Sequence, residues 1–297
     1  MDYISVKEAS KRWNISERSV RNYCAEGRVT GAVLLGKTWL IPSDSTKPIR
    51  KNKKSLMNQT LLDRLIIEKS SKLMGGIYHK IQIELTYNSN HIEGSKLSHD
   101  QTRFIYETNT IGLTDTTINV DDIIETSNHF RCIDYLIDKA RNKLTESFIK
   151  EIHYILKNGT SDSRKDWFAV GEYKKLANEV AGRETTHPSN VKKEIIELLN
   201  WYHSLTKITL NDIIEFHYKF ERIHPFQDGN GRVGRLIMFK ECLKHNVVPF
   251  IISDNLKLYY YRGLNEFEEQ QGYLIDTCLT AQDRFKKYLD YFEIKYN

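Results

Sequence analysis

Along most of the chain, apolar residues return every three or four positions, the spacing of a helix with one buried face. The pattern predicts helices over residues 61–85, 120–143, 146–157, 191–205, 212–223, 231–245 and 254–269. Residues 172–188 break it. Gly171, Gly182 and Pro188 surround the mixed run Leu176-Ala177-Asn178-Glu179-Val180-Ala181, which reads as a short β-hairpin or irregular flap. No repeat or low-complexity tract is visible. The economical architecture from about residue 56 onward is mainly α with one small β excursion.

The first 45 residues follow a different rhythm. Ser5-Val6-Lys7-Glu8 spells a capping box, with Ala9 and Trp13 on one face of the helix it opens. Asn14-Ile15 makes a turn to a second N-cap at Ser16. The helix after it puts Val20, Tyr23 and Cys24 inward and Arg18, Arg21 and Asn22 elsewhere, and Gly27 stops it. Two apolar runs around Gly36-Lys37, within residues 32–42, read as a hairpin. Helix, turn, helix and hairpin together form a small winged helix-turn-helix, similar to the excisionase and MerR-like DNA-binding modules. That resemblance implies a second helix in the major groove, with Arg18, Arg21 and Asn22 toward bases or phosphates and Lys37 on the wing. Residues 46–58, with the run Arg50-Lys51-Asn52-Lys53-Lys54, read as a basic linker.

Charge sharpens this division. The formal net charge is +5, yet residues 1–54 hold 12 Lys and Arg against 5 Asp and Glu. The basic excess therefore belongs to the N-terminal end, as expected where a chain meets a polyanion. At 297 residues there is room for one large domain or two ordinary ones. The longest apolar runs are too short to cross a bilayer, and the start Met1-Asp2-Tyr3-Ile4-Ser5 lacks the features of a secretory signal, so a cytoplasmic protein is expected. Cys24, Cys132, Cys242 and Cys278 are scattered singly, which favours buried reduced thiols over a metal or redox pair.

The densest candidate chemistry is Ile223-His224-Pro225-Phe226-Gln227-Asp228-Gly229-Asn230-Gly231-Arg232-Val233-Gly234-Arg235. Its GNGRVG satisfies the dinucleotide spelling GxGxxG, but a dinucleotide turn must follow a strand. Here Ile213, Phe216, Phe220 and Ile223 precede it in helical phase. What survives is the phosphate physics: glycines that let amides converge, a helix N-terminus near Gly231, and two guanidinium groups three residues apart. Such a set suits a triphosphate. Asp228 could hold Mg²⁺ with phosphates completing the octahedron, and His224 could take a proton from an attacking hydroxyl.

Residues 224–235 also match, at every specified position, the signature HPFx[DE]GNGRxxR, so the chain resembles the Fic (Fic/Doc) family over roughly residues 60–290. The resemblance implies an all-α core within residues 59–297. It implies transfer of AMP from ATP to a Ser, Thr or Tyr hydroxyl of a protein target, with Mg²⁺ and release of pyrophosphate. His224 would be the general base, Phe226 the core anchor of the loop, and Asp228 the Mg²⁺ ligand. Gly229, Asn230 and Gly231 would form the anion nest in a phosphate-binding stretch that runs on through Arg232, Val233, Gly234 and Arg235, with Gly234, inside the helix, expected just to permit close packing. Asn178, Glu179, Val180, Ala181 and Gly182 would pair with an extended target segment by strand addition. Tyr260 and Tyr261 fall where relatives contact adenosine; an asparagine common in relatives is replaced by Glu268, with Asn265 one turn earlier.

Ser89-Asn90-His91-Ile92-Glu93-Gly94 fits the family's inhibitory spelling [ST]xxxE[GN], within an inhibitory helix near residues 85–94. Ser89 and Glu93 share one helical face, and Glu93 is expected to occupy the place of the γ-phosphate on Arg235. In some relatives the same glutamate aligns a water that removes AMP, so either direction of reaction is open. Two further readings remain: a DNA-binding regulator whose core senses nucleotide, and an enzyme using another nucleotide or a phosphocholine donor. A homodimer is compatible with all of them.

Overall fold

A computed structural model describes residues 2–48, 59–112, 117–180 and 182–296. The chain divides into two compact units, residues 1–56 and 57–297. Residues 49–58, most of the expected basic linker, lie outside the described residues.

In the first unit, Ser5 ends strand β1 (Tyr3–Ser5) and caps helix α1 (Val6–Trp13). The Glu8 carboxylate accepts the Ser5 N–H at 2.8 Å while Ser5 Oγ accepts the Glu8 N–H at 3.2 Å, the capping box read from the sequence. Asn14, left-handed at φ 51°, stops α1, and Ser16 caps α2 (Glu17–Ala25). Val20 and Cys24 bury against Ala9, Trp13 and Ile41 in a small core. Strands β2 (Val33–Leu35) and β3 (Thr38–Pro42) form the expected hairpin. The sequence reading missed β1, which pairs with β3, Ile4 opposite Ile41, to give the sheet order β1-β3-β2. Three residues are too few for an alternation to register. Arg18, Arg21, Asn22 and Lys37 are all exposed. So are Val33, Leu34 and Leu35 on the edge strand, which makes the hairpin more apolar than basic.

The second unit is helical, as expected, but its first segment is two helices. Between α3 (Leu61–Ser71) and α4 (Ile77–Ile92) the chain turns through Lys72 at φ 51° and Gly75 at φ 74°. Buried Glu68 organises the break: it pairs with Arg64 at 2.5 Å and accepts the Tyr78 N–H at 2.9 Å, and a side chain at Gly76 would collide with it. Then follow α5 (His99–Thr108), α6 (Val120–Asp138), α7 (Glu146–Lys157), α8 (Pro188–Ser204), α9 (Leu210–Ile223), α10 (Asn230–Lys244), α11 (Lys257–Asn265) and α12 (Gly272–Tyr291). Neither α5 nor α12 lies in the segments predicted from periodicity. Helix α12 does carry a buried stripe of Leu274, Cys278, Ala281, Phe285 and Leu289; α5 buries just Gln101, Thr102 and Ile105. The main core joins Ile149, Ile152 and Leu156 of α7 to Phe216 and Phe220 of α9 and Val233 and Leu236 of α10. All four cysteines are buried free thiols. Among the described residues no helix is long and apolar enough to cross a membrane.

Candidate active site

Helix α9 is started by a capping box, Thr209 with Asp212, and ends where His224 turns left-handed at φ 51°, ψ 62°. That region is uncommon for a residue with a Cβ and persists where the surroundings hold it. The holding contacts are specific. The His224 N–H donates to the Phe220 carbonyl at 2.9 Å, and the Pro225 carbonyl accepts the Lys174 N–H at 2.9 Å. Asn230, fully enclosed, pairs with the Phe226 backbone in both directions, accepting its N–H and donating to its carbonyl, each at 2.8 Å. The Phe226 ring, 0% exposed, stacks on His153 with centroids 3.9 Å apart. The loop is thus fixed by its own sequence, and α10 opens from Gly229 at φ 83°.

The end of α4 reaches this helix start. Glu93 Oε1 accepts from Arg235 Nη2 at 2.6 Å, Ser89 Oγ accepts from Arg235 Nε at 3.1 Å, and the Ser89 carbonyl accepts from Nη2 at 3.0 Å. A side chain at Gly231 would collide with the Glu93 carboxylate, so the glycine is what allows Glu93 to approach. Although burial weakens the Arg235 guanidinium's hold on its proton, Glu93 outweighs it and the group is firmly cationic.

Beside this pair lies a second charged cluster. The Lys157 ammonium, 2% exposed, contacts Glu125 at 2.5 Å, Asp228 at 2.7 Å and Asp162 at 2.9 Å. Arg232 pairs with Glu125 and, at 3.3 Å, with Asp228. Burial alone would raise the Asp228 carboxyl, but Arg232 and Lys157 hold it well below the usual carboxylate range. Both of its ion pairs use Oδ2, and its side chain is 49% exposed. Among the described residues no three His, Cys, Asp or Glu side chains are grouped to hold a metal. An ionised, half-exposed carboxylate still fits a Mg²⁺ that draws its remaining oxygens from phosphate and water.

His224 is pushed down to about 4 by burial and then by Lys174, so its imidazole is neutral at pH 7. Its Nδ1 lies 3.9 Å from Glu221, whose carboxyl burial pushes up to about 8. A cavity of about 350 Å³ opens alongside, bounded by Val180, Thr185, Tyr218, Glu221, Tyr261 and Leu264. A larger open groove of about 880 Å³ shares Tyr218 and Arg222 with it, and residues 224–235 line neither; the smaller cavity meets the site through Glu221.

The other expected site residues lie in varied surroundings. Val233 and Gly234 do not face the helix start: the Val233 N–H donates to the Gly229 carbonyl at 3.0 Å and its side chain is buried. Gly234 lets α10 close on α9, the packing expected of a glycine inside the helix, since a Cβ there would come within 2.7 Å of His217 and Glu221. The Asn230 side chain braces the loop, which leaves its backbone N–H for an anion. Tyr260, 1% exposed, donates or accepts at His217 Nε2 at 2.6 Å inside the core; Tyr261 borders the cavity. Glu268 accepts from the Tyr218 hydroxyl at 2.7 Å, and the Asn265 carbonyl from Arg183 at 3.2 Å. The flap is a hairpin of β4 (Glu179–Val180) and β5 (Arg183–Glu184), with Gly182 at φ 74° and Ala181 outside the described residues. Asn178 points away from the hairpin edge to the Phe226 carbonyl at 3.2 Å.

Lys157, His153, Glu125, Glu221, His217 and Lys174 were not read from the sequence. A signal existed for four of them. His153 and Lys157 fall four apart in the apolar phase of α7, as His217 and Glu221 do in α9, and polar residues on a buried stripe need partners. Glu125 and Lys174 come from distant segments with no local mark.

Residues 143–242 match the Fic/DOC family model. A protein adenylyltransferase Fic of Nematostella vectensis is 27% identical over 71% of this chain and 51% of its own length. The corresponding proteins of Drosophila persimilis and Caenorhabditis elegans are 26% and 25% identical, over 76% and 60% of this chain and 46% and 35% of theirs. The chain spans about half or less of these curated relatives. A Fic-domain signaling protein from Bacteroides thetaiotaomicron superposes with a TM-score of 0.57 at 25% identity, over 77% of this chain and 90% of that one. A Fic family protein from Desulfovibrio desulfuricans superposes with a TM-score of 0.59 at 20% identity, over 80% and 74%. Residues 143–242 are thus similar to the Fic/DOC family, the curated relatives are named protein adenylyltransferases, and the chain shares a fold with solved Fic proteins.

Proposed function

We propose that this chain transfers AMP from ATP to a hydroxyl side chain of a protein target, and that Glu93 restrains the transfer. The observation that carries the reading is the 2.6 Å contact between Glu93 and Arg235 at the start of α10. Arg235 and the opening amides of that helix are the natural seat of the terminal phosphates. With Glu93 on Arg235 the γ-phosphate is excluded, and the α-phosphate is not presented in line.

Once Glu93 gives way, the remaining groups have defined tasks. Neutral His224 accepts the proton as the target oxygen bonds to the α-phosphorus, and the bond from that phosphorus to the bridging oxygen breaks, so that pyrophosphate leaves. Mg²⁺, when bound, would supply positive charge to offset that of the phosphates. Asp228 would hold it, kept ionised by Lys157 and Arg232. Tyr261 and Leu264 offer the nucleoside an apolar wall, and the exposed Glu179 and Val180 backbone offers the target an edge. The first unit is read as a DNA-binding head, on the exposed Arg18, Arg21 and Asn22 of α2 and the basic charge around them.

Intact-mass spectrometry after incubation with ATP and Mg²⁺ tests the reading. Glu93→Gly should gain the mass of one AMP faster than wild type, and Glu93→Gly/His224→Ala should gain none. An adduct that forms from GTP, UTP or CDP-choline instead would overturn ATP as donor. Nucleotide binding with no adduct from any donor would overturn the enzyme in favour of a DNA-binding sensor.

A further inference from the structure

Lys174 lies between α7 and the β4–β5 hairpin and is 4% exposed. Its ammonium donates to Thr185 Oγ1 at 2.5 Å, to Asn178 Oδ1 at 2.7 Å and, more loosely, to the Ile223 carbonyl at 3.5 Å. Its own N–H donates to the Pro225 carbonyl. One residue therefore holds the carbonyls of Ile223 and Pro225, the neighbours of His224 in the chain. The other two partners, Asn178 and Thr185, form the base of the hairpin, where Thr185 Oγ1 also reaches the Asn178 carbonyl at 2.9 Å. Asn178 then returns to the catalytic loop at the Phe226 carbonyl.

These partners are neutral oxygens. Glu194, the nearest carboxylate influence, is hydrogen-bonded to Thr186 at 2.6 Å. A buried ammonium without a carboxylate in contact is costly, and burial pulls this one down to about 8. An apolar side chain would pack the hairpin more cheaply. What an ammonium adds is three donors at tetrahedral angles, enough to span both sides of the hairpin base and a peptide of the His224 turn.

We propose that Lys174 is the positioning residue of this site, tying the hairpin to the Ile223 and Pro225 carbonyls, one residue to either side of His224, so that the left-handed geometry of His224 and the seat of the hairpin are set together. The inference rests on the reading of His224 as the base. Its charge acts as well: after burial, Lys174 is the largest influence keeping His224 neutral, while the Glu221 carbonyl on α9, Glu93 after α4 and Asp228 in the loop pull the other way.

The test is the titration of His224 in the full chain by ¹³C-histidine NMR, its signal assigned by loss in His224→Gln. Lys174→Gln should raise the His224 midpoint by about one pH unit and slow AMP transfer by about tenfold or more. Lys174→Arg, which keeps the charge, should leave the midpoint near wild type. An unmoved midpoint in Lys174→Gln overturns the proposal, and since the titration needs no turnover, that result is separate from failure of the adenylyltransferase reading. Should Lys174→Gln not fold, Asn178→Ala carries the test by hydrogen exchange. Amides of residues 178–185 and 224–227 should lose protection together; loss in the hairpin alone overturns the coupling.

Discussion

In the first unit Arg18, Arg21 and Lys37 stand in solvent, and Arg21 pairs with Glu17 across one turn of an exposed helix. Around the 224–235 loop, Lys157, Lys174, Arg232 and Arg235 are buried, each tied to carboxylates, carbonyls or hydroxyls. The residue types are the same and the physics is opposite. A surface pair contributes about 0–1 kcal/mol and leaves its cation free to meet a polyanion. A buried cation has given up its water, so its partners are as necessary as it is. Basic residues in these two regions are thus of two kinds: exposed cations open to any polyanion, and buried cations that an anion can reach only by displacing a partner already in place.

That contrast can be broken at several strengths. The largest effect is expected at His224, held neutral in the committed region: His224→Ala should slow AMP transfer by about a thousandfold, measured with labelled ATP. Lys157→Ala comes next. It leaves Glu125, Asp162 and Asp228 facing one another without their shared cation and should cost about 3–5 kcal/mol in urea unfolding. Acidification is gentler. Burial lowers His129, His153 and His217 to about 3 and His224 to about 4, so the unfolded chain takes up their protons first as pH falls below about 6.5. Their contribution to stability is present above that pH and is lost progressively toward about pH 3, so the melting temperature should fall over this window. The smallest effect on stability belongs to the exposed set: Arg18→Ala/Arg21→Ala should change unfolding by under about 0.5 kcal/mol yet abolish salt-dependent retention on duplex DNA. A large stability loss there, or undiminished retention, would erase the distinction between the two kinds.

The same distinction explains what could be read without coordinates. Caps at Ser5 and Ser16 and the apolar stripes of α7, α9 and α10 are local signals, and they placed those helices within a few residues. The 224–235 stretch was legible because its chemistry is contiguous. The break between α3 and α4 was not, because it depends on Glu68 reaching Tyr78 across the turn. Neither was the division of labour within GNGRVG. Gly234 could be read as a packing glycine inside the helix, but that Gly229 is there for its backbone angle, Gly231 for the approach of Glu93 and Gly234 for α9 in particular depends on other parts of the fold. The adjacent tyrosines 260 and 261 differ only in which way the helix turns them. Glu125 and Lys174 became visible only once the fold had brought distant segments to Arg232 and His224.

The central claim is that Glu93 and the nucleotide compete for one guanidinium. The rate of labelled AMP transfer in wild type, Glu93→Gly, Arg235→Ala and the double variant tests it most directly. The account predicts that Glu93→Gly is faster than wild type, that Arg235→Ala is slower, and that Glu93→Gly brings no gain once Arg235 is gone. If Glu93→Gly accelerated transfer equally with and without Arg235, the glutamate would be acting elsewhere and the competition would be contradicted.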